Sequence, residues 1–274
     1  MAALKGEVMN NLLQRMLSSI GIVLVIVGVV FLQMPFFYAV VALLLCGCAY
    51  EWQGMAVANQ PLQWAFAGGC VLAYAISVYY SLDCLVVIGV AWWLVAWAML
   101  AYYVKKPPTK PRWSIGMHIL HGGMTLLPMA YALTVIRGFG IEYWIILFVW
   151  VWATDLGGYI FGRPFGKHKL LPTVSPGKSY EGFLGGIFCV IAVTTALYFS
   201  YNVDDFGYID YLAIAVLISV IAVVGDLYES MVKRRFAVKD SGYCIPGHGG
   251  MLDRFDSICA AAPVFAILLW LIPI

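Results

Sequence analysis

The dominant feature of this sequence is a series of long apolar segments separated by short clusters of polar, charged or turn-forming residues. Each segment is close to the roughly 20 residues that an α-helix needs to cross about 30 Å of hydrocarbon. The segments lack the ten-residue alternation of outer-membrane strands. The pattern predicts an all-α, polytopic membrane protein with one transmembrane domain over residues 1–274. We place nine spans at 16–33, 35–56, 62–80, 84–104, 114–136, 141–161, 181–201, 208–232 and 257–273.

The composition agrees with this pattern. Of the 274 residues, 63% are hydrophobic and 11% are charged, whereas soluble domains carry roughly 25% charged residues. The seven cysteines stand mostly within apolar runs and form no CxxC pair, so we interpret them as small buried hydrophobic residues. The first apolar run follows Lys5 and Arg15, but no small-x-small cleavage site comes after it, so we expect a retained helix and a bacterial inner-membrane location.

The basic residues predict which loops face the cytoplasm. If the N-terminus is cytoplasmic, 15 of the 16 lysines and arginines lie in cytoplasmic segments and only Arg137 lies outside, as the positive-inside rule requires. The net charge is only +2, but cations crowd two of these loops, at about 162–180 and 233–256. We expect them to be active-site loops that bind anionic headgroups or nucleotide phosphates, and we expect no nucleic-acid partner.

Acidic residues inside apolar spans are costly and are functional candidates for that reason. In the segment VVGDLYESMVKRR, the side chains of Asp226, Ser230 and Lys233 follow one another at i, i+4 and i+7. They therefore share one helical stripe, with Glu229 a turn away from Asp226. This stripe carries an acid, a hydroxyl and an amine beside the cytoplasmic surface.

A second pair of acids, Asp253 and Asp256, stands at i, i+3 where the last span begins. Two carboxylates on one helix face repel each other unless a cation lies between them. Mg²⁺ is a suitable cation, because it takes oxygen ligands and shares them with substrate phosphates. The alternative is a structural network of salt bridges to Lys233, Lys239 and Arg254, and the residues alone leave it open.

Glycines are concentrated near both acidic segments. The run Pro246-Gly247-His248-Gly249-Gly250 would let backbone N–H groups approach an anion closely, as in phosphate-binding nests. The run Gly177-Lys178-Ser179 is not interpreted as a P-loop, because proline stands at 172 where glycine is needed and no strand is expected before it. The GxxxG pairs at 158/162 and 182/186 predict close helix packing.

Three residues within spans have no assigned chemistry. Asp155 lies in the span that carries the first GxxxG pair. His118 and His121 share one helix face at i, i+3, but no third metal ligand stands near them in the sequence. We therefore expect these histidines to pack or to form hydrogen bonds.

The run from Ser230 to Asp256, SMVKRRFAVKDSGYCIPGHGGMLDRFD, resembles the signature of the phosphatidate cytidylyltransferases, also called CDP-diglyceride synthases. The loop FGKHKLLPTVSPGKSYEG is similar to the other characteristic segment of that family. The similarity in layout covers the chain from about Arg15 to its end. Long gapped motifs of this kind rarely arise by chance, and every charged position of the signature is matched.

The resemblance implies the reaction CTP + phosphatidate → CDP-diacylglycerol + pyrophosphate at the cytoplasmic membrane face, with Mg²⁺ and a monovalent cation such as K⁺. It also allows a homodimer. By position, it assigns metal binding to Asp226, Asp253 and Asp256, and it adds Lys233 and Lys239 to them as the catalytic set. The residues assigned to substrate phosphates, nucleotide or headgroup are Ser175, Lys178, Ser179, Ser230, His248, Gly249, Gly250 and Arg254.

Three rival functions are weighed against this one. A CTP-dependent polyprenol or lipid kinase would combine the same elements, and α- versus γ-labelled CTP would separate the two. An ion-coupled transporter could use Asp155 and Asp226 as ion sites, but we find no inverted repeats, and the polar residues concentrate at one membrane face. A CDP-alcohol phosphotransferase is disfavoured because the chain has no DG-x-x-A-R run.

Overall fold

The computed structural model describes residues 28–29, 31–106, 113–201, 207–242, 244 and 249–271. In these residues, eight helices are long and apolar enough to cross a membrane, which confirms the all-α, multi-span prediction. The first expected span, 16–33, lies almost wholly outside the described residues. The helices are α1 (Met34–Ala56), α2 (Gln60–Tyr79), α3 (Cys84–Lys105), α4 (Ile115–Phe139), α5 (Ile141–Phe165), α6 (Tyr180–Tyr201), α7 (Tyr208–Arg235) and α8 (Leu252–Leu271).

Local signals explain where several helices begin. Prolines stand in the first turns of α1 and α2, where a missing N–H group leaves no helical hydrogen bond unmade. The side chains of Asn59 and Ser114 cap α2 and α4 by accepting hydrogen bonds from the N–H groups of Leu62 and Met117. The last span begins at Leu252, five residues earlier than predicted, so both of its acids belong to the helix.

The most buried helices, α4 and α8, lie at the centre of the bundle. Gly89 of α3 lies against a proline in the middle of each, because a Cβ atom added at Gly89 would stand 2.6 Å from Pro128 and 3.0 Å from Pro263. The helices α2, α3 and α6 carry large exposed apolar side chains such as Trp64, Trp97 and Phe188 on their outer faces. These faces suit contact with lipid, since a hydrocarbon environment penalises exposed polar groups instead.

The predicted glycine seam between α5 and α6 is confirmed. A Cβ atom at Gly182 would lie 2.8 Å from the carbonyl oxygen of Gly158, and one at Gly186 would lie 2.7 Å from that of Thr154. Both distances are shorter than side-chain carbons allow, so the backbones approach more closely than larger residues permit.

A short hairpin connects α5 to α6, where no strand was expected. Its strands β1 (Lys169–Leu171) and β2 (Ser175–Ser179) are antiparallel, with Lys169 opposite Ser179 and Leu171 opposite Ser175. The Gly-Lys-Ser run lies in β2 and leads directly into α6, whose first turn is capped by Ser179 Oγ accepting from Gly182 N–H at 3.1 Å. The hairpin therefore places Lys178 beside the helix ends.

Candidate active site

A cavity of about 530 Å³ lies where the C-terminal ends of α5 and α7 meet the N-terminal ends of α6 and α8, beside the hairpin. Glycines of the α5–α6 seam form part of its wall. Its ionisable lining residues are Asp155, Asp226, Asp253, Asp256, Arg163, Lys178 and Arg254. Four carboxylates and three permanent cations thus share one space at a single end of the bundle.

The acidic stripe of α7 forms as its spacing predicts. Ser230 Oγ donates to Asp226 Oδ1 at 3.3 Å, one turn along the helix. The other carboxylate oxygen of Asp226 forms an ion pair with Lys178 Nζ at 2.5 Å. Asp226 therefore links α7 to the hairpin across the cavity.

Lys233 turns away from Asp226 and joins α7 to α8. Its Nζ donates to Glu229 Oε2 at 2.9 Å and to Asp253 Oδ1 at 2.7 Å. All three side chains are largely buried. The two helices can approach here because Gly225 has no side chain, and a Cβ atom there would lie 2.6 Å from the carbonyl oxygen of Asp256.

Asp253 uses its carboxylate to hold the segment that precedes α8. Besides Lys233, it accepts hydrogen bonds from Ser241 N–H, at 3.1 and 3.3 Å to its two oxygens, and from Gly250 N–H at 2.9 Å. These contacts are the structural network that the sequence analysis left open as an alternative to metal binding.

Asp256 lies deeper in the cavity wall. Its Oδ1 accepts from Ser257 N–H at 2.6 Å, and its carboxyl group is within hydrogen-bonding reach of Glu229. Asp155 and Asp226 are near enough to interact with it electrostatically. Three like charges from α5, α7 and α8 therefore converge, which gives Asp155 a place in the site that its sequence context did not show.

The cavity suits a magnesium ion in its chemistry more than in its present geometry. Among the described residues, no three His, Cys, Asp or Glu side chains are arranged closely enough to hold a metal ion. Asp226 and Asp256, with Asp155 beside them, nevertheless offer the carboxylate oxygens that Mg²⁺ prefers, and a cation would relieve their mutual repulsion. Asp253 is less available, because its oxygens already bind Lys233 and two N–H groups.

The chain matches the model of the cytidylyltransferase family over residues 13–272. This chain belongs to that family. A relative named phosphatidate cytidylyltransferase from Haemophilus influenzae is 34% identical over 282 residues, covering 92% of this chain and 96% of the relative. A Pseudomonas aeruginosa protein of that name is 34% identical over 265 residues, covering 94% and 96%. One from Staphylococcus aureus is 46% identical over 133 residues, covering 48% and 51%.

The residues expected to bind substrate in this cytidylyltransferase fall into three groups. Lys178, Ser179 and Arg254 line the cavity. His248 lies outside the described residues. The others, together with the two lysines of the catalytic set, stand beside the cavity without lining it: Ser175, Ser230, Lys233, Lys239, Gly249 and Gly250. Their substrate contacts stay predictions.

Two residues near the site had no role in the sequence analysis. Arg163 lines the cavity, and its Nη1 donates to the hydroxyl of Tyr159 at 2.7 Å. Glu51, in α1, is 3% exposed and binds the segment before α8. The rule that singled out Asp226, an acid within an apolar span, would also have found Glu51.

The histidines of α4 hold helices together, as expected. His118 Nε2 shares a hydrogen bond with the carbonyl oxygen of Trp52 at 2.7 Å, and His121 Nδ1 shares one with the Tyr228 hydroxyl, also at 2.7 Å. Both rings stack against aromatic neighbours. They connect α4 to α1 and α7, on the far side of α7 from the cavity.

Proposed function

We propose that this protein is a phosphatidate cytidylyltransferase, which transfers CMP from CTP to phosphatidate and releases pyrophosphate. The observation that carries the proposal is similarity over more than nine-tenths of the chain to two relatives of that name. The cavity adds chemical support, since it combines carboxylates for a divalent ion with fixed cations for phosphates.

The reaction asks little proton chemistry of the protein. A phosphate oxygen of phosphatidate attacks the α-phosphorus of CTP, the bond from that phosphorus to the β-phosphate oxygen breaks, and pyrophosphate leaves. The attacking phosphomonoester is already anionic at neutral pH, so no general base is required. The protein must align two anions that repel each other and neutralise the developing charge.

Arg163, Lys178 and Arg254 are the cavity cations that can do this. Lys178 contacts Asp226 on an exposed edge, with each side chain about a quarter exposed. It can exchange that carboxylate for a phosphate oxygen of CTP, because either anion satisfies its ammonium group. The exchange would leave Asp226 available to a cation.

Bound Mg²⁺ would neutralise charge on the phosphate oxygens of CTP. We assign Asp226 and Asp256 as its ligands from this chain, with Asp155 beside them. The predicted third ligand, Asp253, would first have to release part of its network. The K⁺ expectation stays a prediction, as does the homodimer.

Membrane placement follows from the same geometry. The cavity lies at the end of the bundle where the basic loops gather, so the positive-inside rule favours an active site facing the cytoplasm of an inner membrane. Diacyl tails could stay in the bilayer while the phosphate enters between helix ends. The two loops at 162–180 and 233–256 both border this end.

The test is a product assay with the purified chain in detergent–phosphatidate micelles containing Mg²⁺. With α-labelled CTP, we expect label in CDP-diacylglycerol; with γ-labelled CTP, we expect it only in pyrophosphate. Transfer of γ-label to lipid would replace this proposal with a lipid kinase. Cation flux in proteoliposomes without CTP would favour the transporter instead.

A further inference from the structure

The segment between α7 and α8 is held by a residue far away in the sequence. Glu51 lies near the C-terminal end of α1, and its buried Oε2 accepts hydrogen bonds from Ser241 Oγ at 3.1 Å and from Leu252 N–H at 2.9 Å. These partners follow it by 190 and 201 residues. The carboxylate therefore fixes both ends of the described part of this segment to α1.

The contact with Leu252 replaces a helix cap. Leu252 is the first residue of α8, and its N–H group is one of those that a helix leaves unpaired at its start. Gly250 and Met251, which precede it, carry no side-chain oxygen that could accept the bond. Glu51 supplies the missing acceptor from another helix, and its negative charge suits the positive end of α8.

Two glycines allow the segment to enclose this carboxylate. A Cβ atom at Gly242 would lie 2.5 Å from Glu51 Oε1, and one at Gly250 would lie 2.5 Å from Oε2. The glycine-rich pattern had indicated an approach to a bound anion. In the described residues, the anions approached are carboxylates of the protein itself, since Gly250 N–H also donates to Asp253.

Ser241 connects Glu51 to the cavity. Its hydroxyl donates to Glu51 while its backbone N–H donates to Asp253, and Asp253 in turn accepts from Lys233. A chain of hydrogen bonds thus runs from α1 to the ends of α7 and α8. Glu51 forms no salt bridge with a described residue, so its burial costs stability that an apolar side chain would not.

We propose that Glu51 is a positioning residue, which fixes the first turn of α8 and the segment 239–252 and thereby places Asp253 and Asp256 for the transfer reaction. It does not line the cavity, so it acts through these residues and not on substrate. This inference rests on the proposed function for its kinetic part only. Its structural part concerns the order of one segment.

The test compares Glu51→Ala and Glu51→Gln with Gln53→Leu. Gln53 lies two residues away in α1, is fully buried, and its side-chain amide has no hydrogen-bond partner in the described residues, so its replacement removes a polar group without touching the segment. Hydrogen exchange of peptides covering 239–256, thermal unfolding, kcat and KM are measured on the same preparations. Glu51→Gln retains one acceptor oxygen and guards against a Glu51→Ala protein that fails to fold.

For Glu51→Ala, we expect amide exchange in 239–256 to rise at least about tenfold and kcat/KM per folded molecule to fall about 10- to 100-fold, the cost of losing hydrogen bonds to a charged acceptor. The loss should fall on kcat, because the reacting groups are misplaced. Glu51→Gln should show smaller changes in the same direction, and Gln53→Leu should show neither.

A double-mutant cycle with Ser241→Ala sharpens the test. If Glu51 acts through Ser241, the two substitutions together should cost clearly less than the sum of their separate effects. Fully additive effects would overturn the route through Ser241. Exchange or specific activity of both Glu51 variants at the level of Gln53→Leu would overturn the positioning role. Exchange needs no CTP or phosphatidate, so a wild-type chain that makes no CDP-diacylglycerol would refute the proposed function while the exchange result still decides the structural role of Glu51.

Discussion

The two sides of the cavity are built differently. On the hairpin side, Lys178 reaches Asp226 with both side chains about a quarter exposed. On the α8 side, Lys233 bridges Glu229 and Asp253, whose side chains are 3% and 11% exposed. Exposed ion pairs are worth little and exchange partners readily, whereas a buried charge that loses its partner is costly. The hairpin side is therefore adjustable and the α8 side is fixed.

The largest effect should come from the carboxylates that face the cavity from both sides. We expect Asp226→Asn and Asp256→Asn each to lower kcat/KM at least about a thousandfold, roughly 4 kcal/mol, because each removes a metal ligand and a unit of charge. The measurement is CDP-diacylglycerol formation at saturating Mg²⁺. Asp210→Asn is the matched control, since Asp210 lies on α7 at its opposite end. Activity near that of the control in both variants would refute the metal assignment.

The next effect distinguishes the fixed side. Lys233→Gln should lower the free energy of unfolding by about 3 kcal/mol, because it leaves Glu229 and Asp253 buried without their cation. Thermal unfolding in detergent measures this, with specific activity per folded molecule on the same sample. A variant that unfolds like wild type but has lost activity would show that Lys233 serves substrate and not the helix junction.

The corresponding substitution on the adjustable side should do the reverse. Lys178→Gln should lower kcat/KM about 10- to 100-fold, since it removes a charge-assisted hydrogen bond to a phosphate. Its unfolding temperature should stay close to wild type, because the ion pair with Asp226 is partly exposed. A stability loss as large as that of Lys233→Gln would remove the distinction between the two sides.

The smallest effect concerns the base of the hairpin. Glu181 accepts hydrogen bonds from His168 N–H at 3.2 Å and contacts its ring Nδ1 at 2.6 Å, on an exposed surface. Glu181→Ala should raise the KM for CTP less than about fivefold, since solvent-exposed pairs contribute little. Initial rates across CTP concentrations measure this. A loss of kcat larger than that of Lys178→Gln would mean that the hairpin is rigidly held.

The features that the sequence predicted well are local. Helix lengths, the contact between Asp226 and Ser230 one turn apart, and the glycine seam of α5 and α6 all follow from spacing within one or two helices. The hairpin was missed because its strands are only three and five residues long and contain no apolar alternation. The interpretation of Lys233 was incomplete, since its position on the α7 stripe does not show that its ammonium group bends toward α8.

What the sequence by itself determined is the membrane class, the helix spans and the set of charged residues gathered at one end, because hydrophobic length and charge distribution act over short distances along the chain. Only the tertiary structure decided which of those charges meet. Asp155 joins Asp226 and Asp256 through helix packing, and Glu51 reaches Leu252 across 201 residues. Contacts between residues so far apart depend on how the helices are arranged in space, and a single sequence pattern carries no record of that arrangement.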